Sequence, residues 1–284
     1  MRTVTTVKAL QHLVRRWRKA GESVGLVPTM GALHEGHASL INRSAARNDR
    51  TIVSIFVNPT QFGPREDLSK YPRTFAADRR LCSKAGADLI FAPSAREVYP
   101  EGFSTFVEVE GLTSGLCGAS RPGHFRGVAT VCAKLFGMAT PDRAYFGEKD
   151  YQQLQVIGRM ARDLNVAGEI VPCPIVREPD GLAMSSRNRY LSPNERRQAT
   201  VLVRALLEAK RLVEKRGVRR AAALVRAMKR IIGEAGDSRV DYIAVVDPGT
   251  LEPVRLVAGE ARIVLAVFIG TTRLIDNLRV VAKE

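Results

Sequence analysis

Short apolar runs alternate with helical patterns along the first 175 residues, and this alternation restricts the fold more than any other feature of the chain. Each helical pattern is long enough to cross the sheet, so consecutive strands are expected to be parallel. We therefore predict a Rossmann-like, doubly wound α/β domain over residues 1–175. The predicted strands are residues 24–27, 51–57, 88–92, 105–109, 143–146 and 169–171, and the predicted helices are residues 35–48, 74–85, 127–138 and 150–165.

The pattern changes after Pro179-Asp180-Gly181. Helical patterns at residues 193–215 and 218–233 precede predicted strands at residues 240–246, 262–268 and 272–275, an order typical of a small α+β domain. We place the boundary between residues 175 and 176. Residues 176–284 are then a smaller C-terminal domain that is expected to close over a ligand held by the first domain.

A net charge of +15 raises the question of nucleic-acid binding. Between Glu195 and Arg230 the chain has twelve Lys or Arg residues against three Glu, so a net +9 lies in the predicted helices. Apolar residues alternate with these charges, as in helices with one solvated face. The basic run contains no aromatic residue that could stack on bases. We therefore predict no nucleic-acid partner, and a basic nucleic-acid-binding protein is kept as an alternative.

The sequence has no apolar run of the ~18 to 20 residues needed to cross a bilayer. Its first residues also lack the pattern of a secretory signal. We therefore expect a cytoplasmic protein without a membrane partner. The four cysteines contain no Cys-x-x-Cys pair and are expected to be reduced structural thiols.

One segment places two histidines around a glycine where the first predicted strand should turn into a helix: Met30-Gly31-Ala32-Leu33-His34-Glu35-Gly36-His37. A helix N-terminus offers free N–H groups and a positive dipole to phosphate. His34 and His37 can donate hydrogen bonds to phosphoryl oxygens, and the glycines let the backbone approach a ligand closely. On these residues alone, an ordinary helix start and half of a zinc site remain alternatives. The histidines are three apart rather than four as in His-Glu-x-x-His, and further ligands are not evident, so no metal site is predicted.

Three further polar segments could complete a nucleotide and substrate site. Asn58 and Gln61 follow the strand 51–57, and their carboxamides suit recognition of a hydroxyl or carboxylate. Gly147 to Asp150 follow the strand 143–146 and include a lysine that can bind phosphate. Ser185 to Arg187 offer two hydroxyls and a guanidinium, which are also ligands for polyphosphate. Each segment alone also fits an ordinary turn, helix cap or surface loop.

Taken together, these segments resemble the pantothenate synthetase family, and the resemblance spans most of the chain. The His-x-x-His element alone also fits other nucleotidyltransferases, so another adenylyl- or cytidylyltransferase is the second alternative. Leu116-Cys117-Gly118 departs from the family, because many members have Leu-Glu-Gly there. The matching segments are Pro28-Thr29-Met30-Gly31-Ala32-Leu33-His34-Glu35-Gly36-His37, Phe56-Val57-Asn58-Pro59-Thr60-Gln61-Phe62, Tyr71-Pro72-Arg73-Thr74, Arg121-Pro122-Gly123-His124-Phe125, Phe146-Gly147-Glu148-Lys149-Asp150-Tyr151-Gln152-Gln153 and Asp180-Gly181-Leu182-Ala183-Met184-Ser185-Ser186-Arg187-Asn188.

The resemblance implies an ATP-dependent ligase that condenses pantoate with β-alanine to pantothenate, AMP and pyrophosphate through a pantoyl-adenylate intermediate. It also implies a homodimer. Mg²⁺ is expected to be held on the phosphates of ATP, because this ion commonly keeps its waters and uses few protein carboxylates. Asp78 and Asp150 are the acids that could hold those waters.

The same resemblance implies the site residues. His34, His37 and Lys149 would be catalytic, with His37 as the proton donor. Asn58, Gln61 and Gln153 would bind pantoate, and Gln61 would also lie near β-alanine. The residues implied to contact ATP are Met30, Gly31, Ala32, Leu33, His34, Glu35, Gly36, His37, Gly147, Glu148, Lys149, Asp150, Val176 (through its backbone, at the adenine edge), Met184, Ser185, Ser186 and Arg187.

Overall fold

A computed structural model describes residues 1–64, 66 and 68–282 and divides the chain into two compact units. The first unit comprises Met1–Thr113, Arg121–Glu148 and Gln153–Pro174, and the second comprises Ser114–Ser120, Lys149–Gln152 and the chain from Ile175 onward. The strands are β1 (Arg2–Val4), β2 (Val24–Thr29), β3 (Arg50–Ile55), β4 (Leu89–Phe91), β5 (Arg143–Gly147), β6 (Glu169–Cys173), β7 (Ser238–Val246), β8 (Glu260–Ile269) and β9 (Thr272–Val281). The helices are α1 (Val7–Lys19), α2 (Glu35–Ala45), α3 (Phe75–Lys84), α4 (Ala95–Val98), α5 (Cys117–Ser120), α6 (His124–Ala139), α7 (Tyr151–Asp163), α8 (Pro193–Gln198), α9 (Val201–Arg216) and α10 (Ala221–Ile232), with 3₁₀ turns at Pro59–Gln61, Glu148–Asp150 and Ser186–Tyr190.

The first unit is built on a six-stranded sheet with the order β1-β4-β3-β2-β5-β6. Every neighbouring pair in this sheet is parallel. The chain runs outward from β2 through β3 to β4 and then returns to the other side of β2 for β5 and β6. The order therefore reverses between β2 and β5, and doubly wound sheets bind ligands at the carboxyl ends of strands at such a point. The predicted Rossmann-like fold is confirmed.

The sheet of the first unit is buried because its central strands are apolar on both faces. Leu26 of β2, Ile52 of β3 and Ile90 of β4 are almost completely buried. One face packs against α2 and α3 through a cluster that includes Ile41 and Cys82. Such packing fixes the carboxyl ends of the strands, from which the polar loops leave.

The second unit contains the antiparallel sheet β7-β8-β9. The core on one face of this sheet includes Ile263 and Leu265 of β8 together with Leu224 and Met228 of α10. These residues alternate along the strand and recur at helical spacing along α10, which explains how the sequence forms both elements. The predicted smaller α+β domain is confirmed as a fold.

Several features of the fold differ from the sequence prediction, and the helix α1 (Val7–Lys19) was not among the predicted helices. Residues 105–109 form no strand in the described part of the chain, and the backbone N–H of Val107 donates instead to Thr130 Oγ1 of α6 at 3.0 Å. The strand β1 was not predicted, because three residues are too few to show a period. The helix predicted over residues 193–215 is divided into α8 and α9, and Thr200 Oγ1 donates to the carbonyl of Arg197 at the break.

All four cysteines are buried free thiols, as predicted. Burial raises the pKa of Cys82 and of Cys132 to about 12, so both thiols stay protonated near neutral pH and are poor nucleophiles. Within the described residues, none of the helices combines the length and the apolar character that crossing a membrane requires.

A pair of glycines in α6 tests how tightly this helix packs on the turn that carries Gln61. A β-carbon at Gly127 would lie 2.5 Å from the carbonyl oxygen of Thr60, whereas one at Gly137 would have nothing within 4 Å. We expect Gly127→Ala to lower the free energy of unfolding by about 1–3 kcal/mol through overpacking. Gly137→Ala, the matched control, should raise it by about 0.5–1 kcal/mol, because alanine has the higher helix propensity. Urea unfolding measures both values, and stabilisation by both substitutions would contradict the tight packing.

Candidate active site

The β2–α2 loop, residues 30–34, ends at His34, and His37 lies in the first turn of α2. Both histidines cap the helix with their side chains. His34 is the N-cap residue, and its Nδ1 accepts a hydrogen bond from Gly36 N at 3.1 Å. His37 Nδ1 accepts from His34 N at 3.3 Å, which completes a reciprocal capping box. Because both Nδ1 atoms accept, each neutral ring carries its proton on Nε2. Both half-buried imidazoles are thus fixed as Nε2–H donors, the form that can bind a phosphoryl oxygen.

The β2–α2 loop has a constrained backbone that Asp78 of α3 holds in place. Gly31 and Ala32 have φ angles of 83° and 52°, and this left-handed conformation is costly for alanine. Asp78 is buried, and its carboxylate accepts from Ala32 N at 3.1 Å and from Leu33 N at 2.9 Å. Thr74 Oγ1 also donates to this carboxylate at 3.0 Å. The structure therefore gives Asp78 a role in shaping the loop, which differs from the role at the metal that the resemblance implied.

The turn after β3 holds Asn58 and Gln61 in a buried polar network. Asn58 Nδ2 donates to Gln61 Oε1 at 3.0 Å and to the carbonyl of Gly127 at 3.1 Å. Asn58 Oδ1 accepts from Tyr99 OH at 2.8 Å and from Thr60 Oγ1 at 2.9 Å. The amide of Gln61 also contacts the sulfur of Met30 at 3.0 Å. This network orients the carboxamide of Gln61 in the first unit and brings it close to the β2–α2 loop.

Sequence reasoning did not assign a role to Tyr99, which lies 41 residues from its partner Asn58. Burial raises the pKa of Tyr99, so its phenol keeps the proton that it donates. The ring also packs 5.0 Å from the ring of Phe103, centroid to centroid. Tyr99 is therefore a half-buried support of the amide pair Asn58 and Gln61. The only sequence signal for it is a tyrosine close to a helix end, which is common.

The segment Arg121 to His124 supports the same turn through the backbone of Gln61. His124 Nδ1 lies 2.9 Å from the carbonyl oxygen of Gln61, which can only accept, so Nδ1 carries a proton. In the neutral ring, Nε2 then accepts from Arg121 Nη1 at 2.9 Å. Arg121 also forms an ion pair with Glu66 at 2.6 Å. Burial acts to raise the pKa of Glu66, but the Arg121 guanidinium outweighs it and holds that pKa below its usual range.

Lys149 and Asp150 lie in the 3₁₀ turn Glu148–Asp150, and both residues belong to the second unit. Lys149 Nζ is 3.7 Å from Asp150 Oδ2, and the Asp150 side chain is about half exposed. The carbonyl of Lys149 accepts from Asn277 Nδ2 of β9 at 2.9 Å. Gln152 accepts from Cys117 N and donates to the carbonyl of Gly115, so it ties residues 114–120 to the same segment. The neighbouring Gln153 belongs to the first unit and is half-buried in α7.

Val176 and Met184 lie opposite each other in a small hairpin of the second unit. Met184 N donates to the carbonyl of Val176 at 3.0 Å, and Arg177 forms a β-bridge with Ala183. After the hairpin, Ser185 caps the 3₁₀ turn Ser186–Tyr190, and its Oγ accepts from Arg187 N at 3.2 Å. The structure therefore places the predicted residues Val176 and Met184 to Arg187 in one continuous folded segment.

The predicted site residues thus fall into groups with distinct surroundings. In the first unit, the β2–α2 loop and Gln61 lie together. Gly147 ends the strand β5, which neighbours β2, and Glu148 follows it. In the second unit, the carbonyl of Lys149 is bonded to β9, to which the hairpin around Val176 is also bonded through Arg177 and Asp276. Among the described residues, no group of three or more His, Cys, Asp or Glu side chains is placed to hold a metal ion.

Comparisons with known proteins identify the family of the chain. The model of the pantoate-beta-alanine ligase family matches residues 2–279 of the chain. The pantothenate synthetase of Caldicellulosiruptor saccharolyticus is 55% identical over 278 residues, which cover 98% of this chain and 99% of that relative. The crystal structure of pantothenate synthetase from Thermus thermophilus matches with a TM-score of 0.93 and 51% identity, over 98% of this chain and 99% of that one.

A pantoate-beta-alanine ligase from Francisella tularensis, whose structure contains beta-gamma ATP and beta-alanine, matches with a TM-score of 0.81 and 34% identity. That match covers 98% of this chain and 97% of the other. Family model, curated relatives and solved structures therefore agree over nearly the whole length. The chain belongs to the pantoate-beta-alanine ligase family.

Proposed function

We propose that this enzyme condenses pantoate with β-alanine in an ATP-dependent reaction that forms pantothenate, AMP and pyrophosphate. The observation that carries the proposal is the capping histidine pair at the reversal point of the sheet, in a chain of this family. The structure from Francisella tularensis, which contains beta-gamma ATP and beta-alanine, supports the choice of these two substrates.

The chemistry is a transfer of the pantoyl group in two steps. An oxygen of the pantoate carboxylate attacks the α-phosphorus of ATP, the bond to the β-phosphate oxygen breaks, and pyrophosphate leaves. The nitrogen of β-alanine then attacks the carbonyl of the pantoyl adenylate, AMP leaves, and the nitrogen loses a proton. Neither step needs a covalent enzyme intermediate, so the protein has to align the reactants and stabilise the charge on the phosphoryl oxygens.

The proposed ATP-binding residues supply hydrogen-bond donors and positive charge of the kind this reaction requires. His34 and His37 would donate from Nε2 to phosphoryl oxygens, with His37 as the proton donor to the leaving pyrophosphate. Lys149 would neutralise phosphate charge. The further residues proposed to contact ATP are Met30, Gly31, Ala32, Leu33, Glu35, Gly36, Gly147, Glu148, Asp150, Val176, Met184, Ser185, Ser186 and Arg187.

Pantoate carries hydroxyl groups and a carboxylate, which carboxamides can recognise without taking part in proton transfer. We assign Asn58, Gln61 and Gln153 to this substrate, and Gln61 to β-alanine as well. The hydrogen bond from Asn58 Nδ2 fixes Gln61 Oε1 as an acceptor within the protein, so Gln61 Nε2 is the atom that would donate to a substrate oxygen. Its position near Met30 supports a place beside the nucleotide loop.

The network behind Gln61 suits recognition of a small hydroxy acid because it leaves the carboxamide little freedom. Gln61 is oriented through Asn58, its carbonyl is held by His124, and Tyr99 adds a donor from a third segment of the chain. Such a network is stable only when all of its members are bonded, and it then permits one arrangement of the carboxamides. Specific recognition needs this rigidity, because a mobile amide can accept many ligands.

Mg²⁺ is the proposed cofactor, and it would neutralise charge on the ATP phosphates. The half-exposed carboxylate of Asp150 fits a contact to a water of this ion. Asp78 does not fit that role, because its oxygens accept from two backbone amides and a threonine hydroxyl. A homodimer, which the family implies, is a further part of the proposal. So are a cytoplasmic location and closure of residues 176–284 over bound ATP.

The reaction is tested with the purified protein, ATP, Mg²⁺, pantoate and β-alanine. We expect AMP and pantothenate to appear together in equal amounts, and omission of pantoate to abolish both. Omission of β-alanine should leave pantoate-dependent exchange of labelled pyrophosphate into ATP. AMP release that does not depend on pantoate would contradict the proposed reaction, and turnover of another acceptor with CTP or ATP would favour a different nucleotidyltransferase.

Two substitutions of His37 separate its catalytic role from its capping role. Asparagine places a carboxamide near the position of Nδ1 and can keep the acceptor for His34 N. Glutamine reaches the position of Nε2 and can keep the donor to phosphate. We expect His37→Asn to lower the pyrophosphate-exchange rate by about 10² and His37→Gln by only about tenfold, because the Nε2–H bond stabilises the transition state. The reverse order of the two rates would assign His37 to capping alone.

Tyr99→Phe tests the buried network behind Gln61. Loss of the donor to Asn58 Oδ1 should loosen the carboxamide pair and raise the KM for pantoate by roughly fivefold, the effect of about 1 kcal/mol from one hydrogen bond. The KM for ATP should not change. Tyr145→Phe is the matched control, because Tyr145 OH accepts from Asn48 in the same unit without contact to Asn58. Equal changes in the KM for pantoate in both variants would contradict a specific role of Tyr99.

A further inference from the structure

Two consecutive residues of β9, Asp276 and Asn277, are polar and only 2% exposed. Consecutive side chains of a strand point to opposite faces of the sheet. Asp276 shares its face with Leu274 and Val280, which belong to the apolar core of the second unit. A carboxylate and an amide at such positions are costly unless both are fully bonded, so their partners indicate why they are there.

Asp276 holds the hairpin that precedes Ser185. Its two oxygens accept from Arg177 Nη1 at 2.7 Å and from Arg177 Nη2 at 3.0 Å, a bidentate ion pair. Arg177 Nη1 also donates to the carbonyl of Gly181 at 3.0 Å, across the hairpin turn. The guanidinium of Arg177 therefore binds the hairpin turn, and Asp276 fixes this guanidinium to β9.

Asn277 holds the segment that contains Lys149. Its Nδ2 donates to the carbonyl of Lys149 at 2.9 Å, and its Oδ1 accepts from Arg262 Nε of β8 at 2.7 Å. The Arg262 guanidinium lies 4.1 Å from the ring centroid of Tyr151, whose OH donates to the carbonyl of Pro248 at 3.0 Å. The backbone of Lys149 and the side chain two residues later are thus both anchored to the second unit.

We infer that Asp276 and Asn277 are positioning residues that set the spacing between the Lys149 segment and the Val176–Met184 hairpin. Adjacent residues of one strand are separated by a rise of ~3.3 Å along the strand, so the two anchors cannot shift independently. The inference rests on the proposed function, in which both segments bind the same ATP. It adds residues that contact no substrate and act through Lys149 and through Ser185 to Arg187.

The energetics favour this interpretation over a contribution to stability. A buried ion pair is weak evidence for stability, because well-packed apolar side chains of similar volume often replace it at no cost. The bidentate pair and the amide instead supply a defined geometry, because each fixes the direction and the length of a contact.

The test for Asn277 is a double-mutant cycle with Lys149, read out as pantoate-dependent exchange of labelled pyrophosphate into ATP. We expect Asn277→Leu to lower kcat by about tenfold in the wild-type background, because small displacements of an aligned group are costly. In the Lys149→Ala background the same change should lower kcat less than twofold. Equal factors in both backgrounds would overturn the proposal, since a general loss of structure does not depend on Lys149. Leu274→Val, on the same strand, is the control for lost packing and should leave kcat unchanged.

Asp276 is tested together with its partner, because the single substitution would leave Arg177 without its ion pair. The double variant Asp276→Leu with Arg177→Met should keep the thermal unfolding midpoint near that of the wild type. Its kcat for pyrophosphate exchange should nevertheless fall about tenfold, because the hairpin has lost its anchor. An unchanged kcat in this folded variant would overturn the role of Asp276.

Amide hydrogen exchange tests the positioning role of Asn277 independently of the proposed reaction. Asn277→Leu should accelerate exchange in residues 149–152 but not in residues 31–34 of the β2–α2 loop, and it should weaken Mg-ATP binding in calorimetry. Unchanged exchange and unchanged ATP affinity would overturn the positioning role. If the wild-type protein forms no AMP from pantoate while both effects of Asn277→Leu are observed, the proposed reaction fails and the positioning of the ATP-binding segments stands.

Discussion

The hydrogen bonds from the amides of Ala32 and Leu33 to the Asp78 carboxylate are the interaction on which the β2–α2 loop depends. Ala32 lies at a positive φ, a conformation that costs of order 1–3 kcal/mol and persists only when the surroundings enforce it. Charge-assisted bonds to two successive amides supply that enforcement. Because the loop is short, the same bonds fix where α2 begins and therefore where the capping histidines lie.

The parts of the site that could be predicted are local in sequence. His34 and His37 lie where a strand turns into a helix, and both the apolar run before them and the helical pattern after them are visible in one short stretch. The same holds for Lys149, which follows a buried strand. The parallel sheet was predictable because strands and crossover helices alternate. Residues 105–109 show the limit of this reasoning: their alternation resembles a strand, but Val107 bonds to Thr130 of a helix instead.

The supporting residues could not be predicted, because each works through a partner far away in the sequence. Asp78 is 46 residues from Ala32, and Asn277 is 128 residues from Lys149. An aspartate in the first turn of a helix or an asparagine in a strand has no local pattern that reveals such a partner. Asp78 is an example. The resemblance implied a place near the metal, whereas in the structure its carboxylate oxygens accept hydrogen bonds from backbone amides.

Cys117 shows how the second unit accommodates a departure from the family pattern. The resemblance implies a glutamate here, and without it a half-buried cation needs another counter-charge. Arg273 Nη1 does donate to Cys117 Sγ at 3.3 Å, but Arg273 Nε and Nη2 both donate to Asp241 Oδ2, at 3.0 and 2.7 Å. Asp241 therefore balances the guanidinium charge without a carboxylate at position 117. The loop itself is held by the bond from Cys117 N to Gln152 Oε1, which uses only the backbone at position 117. Since Gln152 lies in the segment that begins with Lys149, the substitution changes the polarity beside Arg273 but not the anchoring of the proposed ATP-binding turn.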